Sequence, residues 1–116
     1  MLQAADNEFL QTATKIVEEN LDEADFHVHD LAAALQINRS TLYLKLKSLV
    51  DQTPQTFIRT LRLQYSARLL HEDNASIGDI AAKVGFLEPT HFSRSFKLHF
   101  GLSPSEYRQS TSGESE

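Results

Sequence analysis

One hydrophobic pattern occurs twice in this chain, and that repetition restricts the possible fold more than any other feature. Val28, Leu31, Ala32, Leu35 and Ile37 recur as Ile77, Ile80, Ala81, Val84 and Phe86 at a constant offset of 49. Leu42, Leu46, Lys47, Val50, Thr53 and Pro54 recur as Phe92, Phe96, Lys97, Phe100, Ser103 and Pro104 at an offset of 50, so the second copy has gained one residue near Pro89. Ile77, Ile80, Ala81 and Val84 follow the i, i+3, i+4, i+7 stripe of an amphipathic helix. Gly85 ends that stripe, because glycine accepts the left-handed backbone of a sharp turn. Pro89 suits the first position of the next helix, which puts Phe92 and Phe96 one turn apart on its buried side. Ala81 is small enough to let the two helices approach closely. A short helix, a tight turn and a second helix with a polar outer face form the helix-turn-helix pattern. The chain is expected to hold two of them.

The remaining segments fit around this pair. Residues 1–6 are expected to be a disordered lead-in. Residues 7–21 read as a first helix with Phe9, Leu10, Ala13, Ile16 and Val17 inward. A second helix over 27–36 and a third over 39–50, capped by Asn38, complete a first unit at about 7–52. Leu42, Leu46 and Val50 are its expected inward positions. Thr53 and Pro54 start a linker helix over 54–71. Its eighteen residues rise about 27 Å, somewhat less than the roughly 34 Å between successive major-groove faces on one side of a duplex. Ser76 caps the fifth helix, and the second unit covers 76–109, closing with a short helix from Ser103-Pro104 through Tyr107. Residues 110–116 are polar and expected to be disordered. The fold class is therefore all-α, with two helix-turn-helix subdomains joined by a long linker helix, about seven helices in all.

Composition narrows the function. With no cysteine, disulfides and thiolate metal sites are excluded. No apolar run approaches a membrane span, and the N-terminus lacks the basic-then-apolar order of a signal peptide. These features predict a cytoplasmic protein with no membrane contact. His27 and His29 do not share a helix face, and His91 and His99 lie two turns apart without a completing ligand, so no metal or cofactor is expected. No Gly-rich phosphate loop, nucleophile-base pair or facing carboxylates support catalysis, and no enzyme is expected.

The net charge of −5 runs against nucleic-acid binding until it is divided along the chain. Residues 1–36 carry one Lys and eight acids, whereas residues 37–109 carry ten Lys or Arg against six acids. Positive charge thus gathers where the repeated units lie. Glu18, Glu19, Asp22 and Glu23 crowd the carboxyl end of the first helix, where the helix dipole does not favour them. They read either as a solvated acidic surface or as a docking patch, the former being the commoner case. A helical protein-interaction adaptor is the competing function, although it needs no pair of equally spaced units with basic outer faces.

Base-reading residues are expected on the outward face of the second helix of each unit, near its amino end. In the second unit these are Thr90, His91 and Arg94, with Arg94 suited to bidentate contact with guanine and Lys97 to a phosphate. In the first unit the corresponding face carries Arg39, Ser40, Tyr43, Leu44 and Lys47. Leu44 stands where the repeat has Arg94; it offers no hydrogen bond but can pack on a thymine methyl.

Ile80-Ala81, Val84-Gly85-Phe86, Phe92-Ser93-Arg94, Phe96-Lys97, Phe100-Gly101, Ser103-Pro104 and Tyr107-Arg108 together resemble the DNA-binding signature of the AraC/XylS family of transcription regulators. The resemblance covers roughly residues 7–109. It implies a monomer that reads two adjacent major-groove segments of promoter DNA near RNA polymerase, usually as an activator. Many similar members have a basic residue at the position of Leu44, so guanine readout by the first unit is not implied. Asp6-Asn7-Glu8-Phe9-Leu10 and the Leu42-Tyr43, Lys45-Leu46-Lys47 pattern resemble the output domains of hybrid two-component regulators. Upstream sensor or receiver domains in a longer parent chain are the partners this implies, a stand-alone regulator being the other possibility.

Overall fold

In the computed structural model the described residues are 3–114, with side chains described through residue 110. Among them are seven helices and no strand: α1 Ala4–Glu19, α2 Val28–Ala34, α3 Arg39–Val50, α4 Pro54–Glu72, α5 Ile77–Lys83, α6 Pro89–Phe100 and α7 Pro104–Glu114. They form two compact units. Unit 1 holds α1, α2, α3 and α4 as far as Leu61; unit 2 holds the segment Asp22–Ala24 and the chain from Arg62 onward.

The first unit buries Ala13 and Val17 of α1, Leu31 and Ala32 of α2, Leu42 and Leu46 of α3, and Phe57 and Ile58 of α4 in one cluster. Side chains four residues apart on a helix stand on the same face, which is why Ala13 with Val17 and Leu42 with Leu46 meet the core together. Val50, expected inward, is 37% exposed. It is the last residue of α3, and the helix ends before another turn can cover it. Asn38 caps α3 by accepting the Thr41 N–H at 2.7 Å. Helix α2 is shorter than the sequence suggests. His27 lies just outside it, with its backbone N–H donated to Asp30 Oδ2 at 2.9 Å.

Unit 2 is built on the same plan with larger side chains. Ile80, Ala81 and Val84 close against Phe86, Phe92 and Phe96, together with Leu63, Ala67 and Leu70 from α4. Ring centroids lie 5.3 Å apart for Phe86 and Phe92, 5.7 Å for Phe92 and Phe96, and 5.3 Å for Phe96 and Tyr107. The edge-on and tilted arrangements suit the aromatic quadrupole better than face-to-face stacks. Ser76 Oγ caps α5 by accepting the Asp79 N–H at 3.0 Å. Helix α7 opens with a reciprocal box: Ser103 Oγ accepts the Glu106 N–H, and Glu106 Oε1 accepts the Ser103 N–H.

Helix α4 is more than a spacer. Its first half supplies Phe57 and Ile58 to one core and its second half Leu63, Ala67 and Leu70 to the other. Two further differences concern the ends. Helix α1 begins at Ala4, inside the expected lead-in, because Ala4 and Ala5 favour helix and the Asn7 N–H bonds to the Gln3 carbonyl. Helix α7 runs on to Glu114 rather than stopping at Tyr107. Once its capped first turn is formed, each further residue adds a hydrogen bond without a new nucleation cost. Residues 1, 2, 115 and 116, which belong to the expected disordered ends, lie outside the described residues.

The turns repeat as closely as the cores. In unit 1 the Ile37 N–H reaches back to the Ala32 carbonyl, and in unit 2 the Phe86 N–H reaches the Ala81 carbonyl. This is the Schellman closure, and it requires a left-handed residue just before the last donor. Unit 2 places Gly85 there, at φ 89°; unit 1 places Gln36, at φ 61°. The second helices end alike, on Gly101 at φ 83° in unit 2 and on Asp51 at φ 55° in unit 1.

Candidate nucleic-acid interface

With Leu42 and Leu46 buried, the opposite side of α3 is fixed by helical geometry. Ser40, Tyr43, Leu44 and Lys47 fall at i, i+3, i+4 and i+7, a single stripe, with Arg39 beside it at the helix start. All five are exposed. Their partners differ. Lys47 Nζ lies 3.2 Å from Asp51 Oδ1, an ion pair in open solvent. The neighbouring Lys45 turns away from the stripe and sits 5.0 Å from the centroid of the Phe9 ring in α1. The middle of the stripe is therefore apolar, with Tyr43 45% and Leu44 66% exposed. Beside it lies an open depression of about 600 Å³, walled by Leu44, Tyr43 and Arg39 of α3, Val28 of α2, and Thr53 and Pro54 at the start of α4.

In α6 the burial of Phe92 and Phe96 leaves Thr90, Arg94 and Lys97 at i, i+4 and i+7 on the outer side, with His91 adjacent to Thr90. All four are exposed. The His91 ring rests edge-on against Phe86, with centroids 5.5 Å apart, which orients it at the helix start. Lys97 lies near the first turn of α7. The Glu106 carboxyl there is held below its ordinary pKa, first by the Ser103 backbone N–H and in small part by Lys97. Every residue expected to read DNA thus stands on the outer face of α3 or α6, the second helix of its helix-turn-helix pair.

Two residues that the repeat did not flag hold unit 2 in shape. The buried Arg62 donates from Nη1 to the Val84 carbonyl at 2.7 Å and from Nη2 to the Glu23 carbonyl at 3.1 Å. Val84 is the last residue before the Gly85 turn, so Arg62 fixes the corner from which α6 departs. Burial lowers its pKa from the ordinary arginine value, the cost of desolvating a guanidinium. Arg108 bonds the carbonyls of Leu70, Asp73 and Ala75, tying α7 to the end of α4 and the turn that follows. Leu61 and Leu63 on either side are the one sequence signal for Arg62, and they do not name acceptors 22 and 39 residues away.

Among the described residues no group of three or more His, Asp or Glu side chains could hold a metal ion, and no helix is long and apolar enough to cross a membrane.

Comparison with known proteins places this geometry. Residues 31–110 match a family described as a helix-turn-helix domain. Over 107 residues the chain is 36% identical to Histidine kinase P4 of Formosa agariphila, a match covering 92% of this chain and 8% of that protein. The chain accordingly spans only a small part of that relative's length. Among solved structures, a transcriptional regulator from Chromobacterium violaceum, described by its AraC-type DNA-binding domain, matches with a TM-score of 0.84 at 28% identity, over 92% of this chain and 95% of that one. The DNA-binding domain of AdpA, solved in complex with a target DNA, matches with a TM-score of 0.82 at 28% identity, over 91% and 95%.

Proposed function

The chain belongs to the AraC-type helix-turn-helix family, and from that premise we propose that it binds double-stranded promoter DNA in a sequence-specific manner as the output domain of a transcription regulator. One observation carries the proposal: α3 and α6, the second helix of each repeated pair, bury their apolar stripes and turn cation-bearing stripes outward, polar throughout in α6 and interrupted by Tyr43 and Leu44 in α3. Such a face meets the requirements of a helix lying in a major groove, where side chains near the amino end touch base edges and those further along touch phosphates. Thr90, His91 and Arg94 would read bases from α6, with Lys97 on a phosphate. Arg39, Ser40, Tyr43, Leu44 and Lys47 would form the corresponding surface of α3.

A guanidinium matches the O6 and N7 acceptors of guanine in a planar fork, which makes Arg94 the strongest single reader. Because the chain is acidic overall, attraction to phosphate comes from the local excess of Lys and Arg over residues 37–109 rather than from net charge. The kinase relative supports a further step. This domain would be the cytoplasmic output of a hybrid two-component protein, its occupancy set by sensor or receiver domains elsewhere in the parent chain, with RNA polymerase as the target of activation. No catalytic step is assigned to the domain.

The test is duplex binding by fluorescence anisotropy across a salt series. The expected result is binding whose logarithmic affinity falls linearly with log salt, by about 0.9 per phosphate neutralised. A domain that binds no duplex even at low salt would instead favour the protein-adaptor reading.

A further inference from the structure

We infer that Leu44 makes unit 1 a reader of thymine methyl groups, so that the two halves of the binding site are specified by different chemistry. The inference rests on the DNA-binding reading above. Positions 44 and 94 are equivalent in the repeat and occupy the same place on their helices. Each lies two residues beyond a buried core residue, Leu42 or Phe92, and three before an exposed lysine, Lys47 or Lys97. At one the chain presents a guanidinium; at the other, a side chain with no donor or acceptor.

Leu44 has apolar neighbours on one side, while Arg39, Ser40, Thr53 and Gln55 make up the polar part of the depression it borders. The Tyr43 ring lies beside it, and Val28 and Pro54 line the same depression. The cations around it are placed differently from Arg94: Lys45 is turned toward Phe9, Lys47 pairs with Asp51 in open solvent, and Arg39 lines the depression from the start of the helix. An apolar patch edged by cations requires an occupant that is apolar where it touches the leucine and anionic around it. In the major groove of B-DNA the thymine 5-methyl is the one methyl that the bases display, and it lies between two phosphate strands. Covering it with Leu44 removes both apolar surfaces from water.

The consequence is a site with polarity. The half under α3 contains a thymine chosen by its methyl, the half under α6 a guanine chosen by hydrogen bonds to Arg94, and the monomer has one preferred direction on the duplex.

The experiment starts from duplexes selected by the purified domain out of a random pool and replaces each thymine with deoxyuridine, one at a time. Deoxyuridine keeps the base pair and deletes only the methyl. For the wild type, one replacement in the α3 half is expected to weaken binding about fourfold, the worth of one buried methyl. For Leu44→Ala, whose exposed position leaves the core intact, the same replacement is expected to change affinity by less than about twofold, because the two losses are one contact counted twice. Selection with Leu44→Arg is expected to move that position to guanine, as in the α6 half. Wild-type binding indifferent to every deoxyuridine, or Leu44→Ala as sensitive as the wild type, overturns the inference while leaving the DNA-binding reading intact. Absence of duplex binding overturns both.

Discussion

Units 1 and 2 fold one backbone plan with two different sets of residues. Both place a left-handed residue at the corner between their paired helices, and both place another at the end of the second helix. Unit 2 meets each requirement with glycine, at Gly85 and Gly101; unit 1 meets them with Gln36 and Asp51. The cores differ too: α3 contributes the aliphatic Leu42 and Leu46 to one, and α6 contributes the aromatic Phe92 and Phe96 to the other. What the duplication has kept is geometry, and what it has released is the means of meeting it. The outward faces diverge by the same freedom, Leu44 in one copy against Arg94 in the other.

The sharpest way to break the comparison is in the cores. Phe96 and Leu46 are equivalent and both fully buried. Phe96→Ala is expected to cost about 3–5 kcal/mol and Leu46→Ala about 2–5 kcal/mol, each from lost burial plus the cavity left behind. The aromatic site should be the more costly, since Phe96 also holds Phe92, Phe100 and Tyr107 within ring contact. Denaturant titration of both variants checks this. A larger loss at Leu46 would mean that unit 1, not unit 2, carries the tighter packing.

The next effect is on binding. Arg94→Ala is expected to lose about 1–3 kcal/mol on the preferred duplex and to relax preference at one base pair. Lys97→Ala should weaken binding to all sequences alike and lower the salt slope by about one unit. Anisotropy against preferred and scrambled duplexes separates the two roles. An Arg94→Ala domain with unchanged base preference would remove Arg94 from the set of readers.

Much of this architecture is legible in the sequence, because helical periodicity and caps are local. The seven helices and the Asn38 and Ser76 caps are read from neighbours a few residues apart, the repeat from one pattern met again 49 or 50 positions on, and the outward stripes of α3 and α6 follow from them. The left-handed turn was legible at Gly85, where glycine marks it, and illegible at Gln36, where nothing in the residue type does. Arg62 was missed because its acceptors, the Val84 and Glu23 carbonyls, are distant in sequence. Val50 has the spacing of a core residue yet, as the last residue of α3, stays 37% exposed. The sharing of α4 between two cores needs three dimensions to be seen at all.

The αL positions provide a smaller and cleaner contrast. A Cβ added at Gly101 would meet no atom within 4 Å, so a substitution there reports backbone strain without steric contact. Gly101→Ala is expected to destabilise by about 1–2 kcal/mol. In the reverse direction, Asp51→Gly relieves strain but frees the unfolded chain and loses the exposed Lys47 pair, which together reduce the gain to less than about 1 kcal/mol. Thermal denaturation of the two variants measures the asymmetry. Equal and opposite shifts would show that Asp51 carries as much strain as alanine would at Gly101.

The smallest effect separates the units by pH. Two carboxyls of unit 2, the half-buried Asp73 and the exposed Glu106, are held below their ordinary values. Asp73, ordinarily 3.8, is lowered first by its hydrogen bond from Lys83 and then by the Ala75 N–H; Glu106, ordinarily 4.5, is lowered first by the Ser103 N–H. Each is bound more tightly in its charged form when folded, so its contribution is complete above the unfolded value and is lost as pH falls through the folded one. The window therefore opens near 4.5 for Glu106 and near 3.8 for Asp73, and extends below both. Exposure to solvent keeps the effect modest. The protection factors of the Phe86 and Phe96 amides, each taken against the unstructured amide at the same pH, should fall on acidification through this window, and the double variant Asp73→Asn, Glu106→Gln should flatten that dependence while leaving the acid response of Leu42 and Leu46 unchanged. If the double variant flattened both units equally, the two carboxyls would be stabilising the chain as a whole, and the division of labour between the copies would not extend to their response to acid.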